Sequence, residues 1–505
     1  MDYIRTQGLS WRSILGVVIV YYGTLLFYRR FLHPLARFPG PRLAAISRWY
    51  EAYYDLVKGG QYTREIVEMH EKYGPIIRIS PHELHVMDPA FFEKLYRQEG
   101  HWDKPAWNYD AFGAKSSTIF CTGHAIHKVR RHAIASFFSK AKVAARQELI
   151  RRNVDKLCGR ISELASGTIF NLGAATSAYT RDTANEFIVW KQYNELDERE
   201  FGVTLSHASQ GGGIMWRTTK HIRWFGPTLR SIPIDWVMKL ADDGTKAFLR
   251  YLQQSEQDTR DTLTAIASPS PSEVTQSTMA YDIINSNLPP AEKTFDRIFE
   301  EIATVTGAAF ETTASTLRLI IFHVFSNKHI LERLRTEIRA ATAKSTGPLR
   351  LQTLEQLPYL TAVLMEGLRL SPGVASRTPR ISDEDLWYGD WRIPAGTPVG
   401  MTVLLMHTDK ALYPEPMRFD PERWMEANRK TGEKTFAPFS RGTRTCLGMY
   451  LAWAEMYLLL AALVQKLDFE FPDATAADFE CENDRFTVGT RAGCSLMARV
   501  GPRQG

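Results

Sequence analysis

Apolar residues gather along this chain in runs whose length and spacing indicate elements before any motif is considered. Ser13 to Tyr28 is a run of 16 residues without a charge. As a helix it spans roughly 24 Å, a little short of a hydrocarbon core about 30 Å thick. Trp11, Arg12, Arg29 and Arg30 at its ends can make up the difference by snorkelling and interfacial anchoring. The run predicts a membrane anchor. A cleaved signal peptide or a buried core helix would share its composition, but no small-x-small cleavage site follows it. A second apolar run, from about Phe295 to Phe325 without proline, predicts a long central helix. A third, around Tyr359 to Leu370, carries Glu366 and Arg369 on one helix face. Isolated, such a pair is a solvated ion pair worth under about 1 kcal/mol. Set among Tyr359, Leu360, Val363, Leu364, Leu368 and Leu370, it predicts burial with a third partner.

Two polar interruptions separate these runs. Ser268 to Ser277, rich in serine and proline, predicts a solvated loop ahead of the central helix. Gly211-Gly212-Gly213 suggests a phosphate loop, but the preceding strand and following helix that such a loop needs are missing, so a mobile loop at a substrate entrance is expected. From roughly 187 to 235 the chain mixes aromatic and apolar residues (Met215, Trp216, Trp224, Phe225, Trp236) with basic ones (Arg217, Lys220, His221, Arg223), for which a nucleic-acid face is the alternative to the hydrophobic lid that the family resemblance given below implies. No internal repeat is evident.

Composition narrows the class. A hydrophobic content of 44% with 11% aromatics supports a large buried core. The net charge of +6 is modest for 505 residues and dispersed, which speaks against nucleic acid as a partner. Five cysteines, an odd count with no Cys-x-x-Cys spacing, argue against zinc sites and a disulfide framework.

The candidate chemistry lies in Phe439-Ser440-Arg441-Gly442-Thr443-Arg444-Thr445-Cys446-Leu447-Gly448. Most free cysteines are small core hydrophobes. This one stands between glycines just ahead of a helix. A thiolate that ligates iron needs its charge stabilised, which a helix N-terminus supplies. Gly442 and Gly448 would let backbone approach a flat porphyrin, and Arg444 could fork onto a propionate. Position for position, the loop resembles the signature of the cytochrome P-450 family, aromatic-x-x-Gly-x-Arg-x-Cys-x-Gly.

Further matches follow in the family's order. Glu366-Gly367-Leu368-Arg369 resembles its Glu-x-x-Arg helix, and Pro421-Glu422-Arg423-Trp424 supplies Arg423 to close a structural network beneath the haem. Gly307-Ala308-Ala309-Phe310-Glu311-Thr312-Thr313 is similar to the family's distal helix, which implies Glu311 and Thr312 as the acid–alcohol pair of proton delivery. Thr312 can equally bond back to the carbonyl four residues earlier. The chain departs from the pattern at Ala309, commonly glycine, and at bulky Phe310, which bears on the pocket's shape. His127 and Arg131 match a helix that contacts a propionate, and Arg377 matches another such contact.

The resemblance implies a mostly α fold with a small β region: an anchor over 1–32, a proline-rich hinge over 33–42 and one haem-thiolate catalytic domain over 43–505. It implies haem b with Cys446 as axial thiolate, and monooxygenation of a hydrophobic small molecule by O2. Electrons would come from an NADPH–cytochrome P-450 reductase, with cytochrome b5 as a further donor, docked on a basic face guessed at Lys140, Lys142, Arg146 and Arg441. Substrate-lining candidates are Ile119, Phe120, Val305, Ala308, Val374 and Phe486 to Val488. Arg29, Arg30, Arg37 and Arg42 outnumber Arg5 and Arg12, so the catalytic domain is expected on the cytoplasmic side of the endoplasmic reticulum membrane, behind a single span. The loop's wording without a proline before Arg444, together with Ile79-Ser80-Pro81-His82-Glu83-Leu84, resembles filamentous-fungal members of secondary metabolism such as trichodiene oxygenase, and so a terpenoid or polyketide-type substrate. The rival functions are a haem-thiolate isomerase or dehydratase and a non-catalytic haem-binding protein.

Overall fold

The computed structural model describes residues 11–164, 167–425 and 435–501; Arg5, counted above on the anchor's outer flank, lies outside them. The first helix, α1 (Trp11–Phe27), continues through one wider turn to Leu32, giving 22 residues of mean hydropathy 1.3 with none buried. That is roughly 33 Å of helix, so the shortfall expected from the uncharged run alone disappears. An exposed apolar helix of this length fits a membrane anchor. Its foot is tied down: Arg29 Nη1 donates to the Ile46 carbonyl at 2.8 Å, and Arg78 Nη1 donates to the Arg29 carbonyl at 2.9 Å. The segment 33–42 is packed rather than free, with Leu35 and Phe38 buried against Phe91, Phe92 and Trp102.

Five short strands, β1 (Ile76–Ser80), β2 (Glu83–Val86), β3 (Trp102–Asp103), β4 (Arg380–Ser382) and β5 (Pro398–Gly400), form a sheet in the order β1-β2-β5-β4-β3. Only β2 and β5 run parallel. A hairpin of β6 (Asn483–Arg485) and β7 (Thr487–Gly489) packs apart from that sheet. A small three-stranded sheet and a second hairpin complete the β structure, and most of the remainder is helical. The helices that matter here are α2 (His124–Ala135), α3 (Leu172–Val189), α4 (Val203–His221), α5 (Phe295–Ser326), α6 (Pro358–Leu370) and α7 (Met449–Lys466).

The proline-free apolar run does form one helix, α5, and it crosses the middle of the main core beside α3, every residue of which is buried. Small residues on α3 let the two approach closely, and Thr180 Oγ1 donates to the Phe310 carbonyl at 2.9 Å. The triple glycine differs from expectation: it lies inside α4. Glycine is the poorest helix former after proline, but packing overrides propensity here. A Cβ at Gly213 would overlap Arg485 of β6, while Gly211 and Gly212 face open space. Trp216, expected in an exposed lid, is buried with its indole N–H on the Asn108 carbonyl at 2.9 Å. The exposed apolar residues of that region include Ile214, Met215, Trp224, Ile232, Ile234, Trp236 and Leu240. The Ser268–Ser277 segment is largely exposed, with one helical turn capped by Ser272.

Candidate active site

Cys446 sits three residues before Met449, the first residue of α7, where backbone N–H groups lack helical partners. Its own N–H donates to the Phe439 carbonyl at 2.9 Å, and Thr445 N donates to Gly442 O at 3.1 Å, closing the loop. Gly442 has φ 73°, and a Cβ there would stand 2.5 Å from the Arg97 carbonyl oxygen and 2.7 Å from that of Tyr96. Its glycine therefore serves protein packing. Gly448 has ordinary dihedrals and open space where a Cβ would go. Among the glycines flanking the sulfur, it is the one that leaves a surface free. Burial raises the Cys446 pKa, while the Gly448 N–H and the Arg131 charge pull it down. The sulfur is nonetheless accessible.

Around it gather cations with no acid to neutralise them. Arg444 donates to the carbonyls of Cys121 at 2.7 Å and Thr122 at 3.0 Å, its Nε is buried without a partner, and burial together with Arg380 lowers its pKa to about 10. Burial, then Arg444 and Arg380, push Lys104 well below the usual lysine range; its Nζ donates to the Ile119 carbonyl at 2.8 Å. Arg131 is lowered by burial. His127 is buried, and desolvation followed by Arg444, Lys104 and Arg131 holds it neutral with a pKa of about 2. Among the described residues, none of Lys104, Arg131, Arg380 and Arg444 has a carboxylate ion-pair partner. A cavity of about 750 Å³ beside α2 is lined by His127, Arg131 and Thr443 among others.

Arg377 does not join this cluster. Its guanidinium is paired with Glu83 (2.6 Å) and Glu51 (2.8 Å), and although burial alone would lower its pKa, those two acids raise it well above the ordinary value. Its Nε and Nη2 are committed to these acids, and its charge is already offset. Arg380, three residues on, stands beside Arg444 and the Tyr109 hydroxyl instead. Sequence spacing could not choose between the two arginines, and Lys104 offered no signal beyond its neighbourhood Trp102-Asp103-Lys104-Pro105. The acids that hold Arg377 belong to a buried network: Lys220 Nζ lies 2.9 Å from Glu51 and 2.6 Å from Asp55, and His221 Nε2 lies 2.7 Å from the same Asp55 oxygen. Glu51, Asp55 and His221 have the chemistry of metal ligands, but Lys220 already supplies the positive charge they need.

On α5, Gly307 and Ala308 are exposed in mid-helix although most of the helix is buried. Thr312 lies one turn on, its Oγ1 donating to the Ala308 carbonyl at 2.8 Å. Phe310, unlike Gly307 and Ala308, is buried, with its ring edge-on to Tyr251 at 5.6 Å. Glu311 is only partly exposed. Its carboxylate accepts from Arg318 Nη2 at 3.0 Å, with Arg181 Nη1 at 3.9 Å.

Glu366 and Arg369 form a fully buried bidentate pair at 2.7 and 2.9 Å. The acid also accepts from Arg423 Nε (3.3 Å), the Trp424 indole (2.9 Å) and the Asp420 backbone (2.9 Å). Arg369 Nη1 donates to the His407 carbonyl, the His407 Nδ1–H donates to the Arg369 carbonyl (3.1 Å), and His407 Nε2 accepts from Ala437 N (3.0 Å). Trp424 and His407 thus extend the expected triad up to the segment that enters the cysteine loop. The basic guesses fare differently: Lys140 pairs with Glu355 and Lys142 with Asp282, and Arg146 is tied to the carbonyls of Phe187 and Ser277.

The sequence model of the cytochrome P450 family matches residues 49–492. The chain belongs to the cytochrome P450 family. It is 37% identical over 460 residues to cytochrome P450 monooxygenase tpcC of Cochliobolus heterostrophus, covering 89% of this chain and 87% of that protein. It is 34% identical to tryptophan 6-hydroxylase fscE of Fusarium equiseti (93% and 94% covered) and 32% identical to cytochrome P450 monooxygenase TRI4 of Fusarium sporotrichioides (94% and 91%). In fold it is similar to the cytochrome P450DA heme domain, with a TM-score of 0.67 at 16% identity over 90% of this chain and 95% of that one. As a cytochrome P450 the protein is a haem monooxygenase, using O2, an organic substrate and an electron donor, with iron ligated by a cysteine thiolate. The residues present fit that group: an accessible thiol at a helix start, open space over Gly448, and unneutralised buried cations placed for two carboxylates.

Proposed function

We propose that this cytochrome P450 oxidises a hydrophobic terpenoid or polyketide-type intermediate of fungal secondary metabolism. The observation that carries the reading is the convergence of Lys104, Arg131, Arg380 and Arg444, all without a carboxylate partner among the described residues, beside the Cys446 loop. Bound there, haem supplies the reduction and activation of dioxygen. Cys446 would supply the thiolate ligand; burial raises its pKa, and the Gly448 N–H and Arg131 oppose that rise. The four cations and neutral His127 would hold the propionates. Thr312 Oγ1, its hydrogen committed to Ala308, would accept from a water and so aim that water's other hydrogen towards the oxygen site; Glu311, on leaving Arg318 and taking a proton from solvent, would return one to that water. The Glu366–Arg369–Arg423 network keeps the cysteine loop in register and touches no reactant.

Electrons come from an NADPH–cytochrome P-450 reductase, with cytochrome b5 as a further donor. Lys128, without an acidic partner among the described residues on the cavity rim, replaces Lys140 and Lys142 as the favoured docking charge. The Trp11–Leu32 helix makes a single span of the endoplasmic reticulum membrane with the domain in the cytoplasm, and Trp224 and Trp236 rest on the lipid surface. The test is the reduced, carbon monoxide-bound difference spectrum of membranes carrying the full chain. A strongly red-shifted Soret band that vanishes in Cys446→Ala is expected; a histidine-type band in wild type overturns the reading.

A further inference from the structure

Phe486 is the single residue between β6 and β7, and its φ of 70° lies in the left-handed region that bulky side chains resist. Such strain persists only where the surroundings over-determine it. Three hydrogen bonds do so. Phe486 N donates to Asp484 Oδ1 at 2.7 Å, and its carbonyl accepts from Ala375 N at 3.0 Å and Ser376 N at 3.3 Å. Asp484 is itself buried and fixed: Oδ2 accepts from Thr63 Oγ1 at 2.8 Å, its N donates to the Gly60 carbonyl at 2.9 Å, and its carbonyl accepts from Arg217 Nη1 at 3.1 Å.

What this arrangement holds in place is a ring. Phe486 stands edge-on to Phe112 (4.8 Å, 78°) and to Trp216 (5.4 Å, 66°). Phe112 in turn lies flat on Phe120 (4.0 Å, 10°) and nearly parallel to Trp216 (5.7 Å, 21°). Trp216 is fully buried, whereas Phe112, Phe120 and Phe486 each keep part of their surface, unlike a sealed core. The hairpin places this wall beside the distal face. Val374 bridges to Thr487, Val488 N donates to the Gly373 carbonyl at 3.3 Å, and a Cβ on Gly373 would stand 3.5 Å from Thr312 Cβ. From the other side, the Ile119 carbonyl next to Phe120 receives Lys104 of the cation cluster.

We propose that Asp484 is a positioning residue for substrate selection: by holding Phe486 at its left-handed apex it completes a flat-sided aromatic wall, and the substrate accordingly presents a planar, unsaturated ring to that wall. This rests on the function proposed above and names the substrate's chemistry. A merely apolar pocket accepts saturated and aromatic rings alike, whereas ring faces and edges in fixed orientation favour an aromatic guest.

The probes are 4-phenylimidazole and 4-cyclohexylimidazole, which present a flat or a puckered ring of equal carbon count, with binding read from the nitrogen-ligation difference spectrum of the full-length holoenzyme. Wild type is expected to bind the phenyl probe about fivefold tighter than the cyclohexyl one. In Asp484→Ala the ratio is expected to fall within about twofold of unity while the thiolate-type carbonyl spectrum stays unchanged. Asp484→Asn, which keeps an oxygen for the Phe486 N–H, is expected to restore the preference. Phe486→Leu is expected to abolish it with Asp484 in place, and decides the matter should Asp484→Ala fail to fold. No preference in wild type, or full preference in Phe486→Leu or in folded Asp484→Ala, overturns the proposal. Loss of the thiolate-type spectrum in wild type would instead defeat the reading of the site itself.

Discussion

Gly442 and Gly448 flank the same sulfur and are glycine for different reasons. At Gly442 a methyl group would meet two carbonyl oxygens at a positive φ, so Gly442→Ala is expected to destabilise the fold by about 2–4 kcal/mol, lowering Tm with or without haem. At Gly448 the methyl meets nothing, so Gly448→Ala is expected to leave the haem-free Tm within about 1 °C and to lower the ratio of Soret to protein absorbance instead. Thr312→Ala is expected to bind haem normally and to divert most reducing equivalents to hydrogen peroxide; unchanged coupling would remove the hydroxyl from the proton path. Cys446, Arg444, Glu366 and Arg369 were legible in the sequence because each lies in a short motif whose geometry is local. Arg380 was not. Whether Arg377 or Arg380 stays unneutralised depends on Glu51 and Glu83, roughly 300 positions earlier in the chain, and no local spacing encodes that.

Among the elements, the long proline-free helix and the anchor could be read because a continuous apolar run leaves few alternatives. The glycine run in α4 misled because glycine punctuates chains, while here tertiary contact holds it helical. Gly211→Ala and Gly212→Ala are expected to stabilise the protein by about 0.5–1 kcal/mol each, by reducing unfolded-state entropy where space is open, and Gly213→Ala to destabilise it by pushing α4 off β6, all measured by thermal unfolding. The contact between α6 and the cysteine loop carries a pH dependence. Burial lowers the His407 pKa to about 3, and likewise His70, which is bonded to His85, to about 4. Both are neutral in the fold and take up protons on unfolding, where the pKa is about 6.5. Their contribution is complete above about pH 6.5 and is lost as the pH falls towards 4, at about 1.4 kcal/mol per unit for each. Urea unfolding at pH 7, 6 and 5 is expected to show this slope, reduced by about one proton in His407→Gln.

At the scale of the molecule, Lys220 joins the end of α4 to the N-terminal region through Glu51 and Asp55, while Arg377 joins the same Glu51 to Glu83 of β2. Removing one cation leaves buried acids uncompensated, so Lys220→Met is expected to cost about 3–5 kcal/mol in thermal or urea unfolding. The partners are far apart along the chain, and closing such loops is entropically slow. The cluster can therefore assemble only after most of the chain has already condensed. Contacts absent from the folding transition state govern how fast the native state is left rather than how fast it is reached. Weakening this buried knot of charge is therefore expected to shorten the survival of the folded molecule while leaving its folding speed nearly unchanged, as unfolding and refolding rates of Lys220→Met would show.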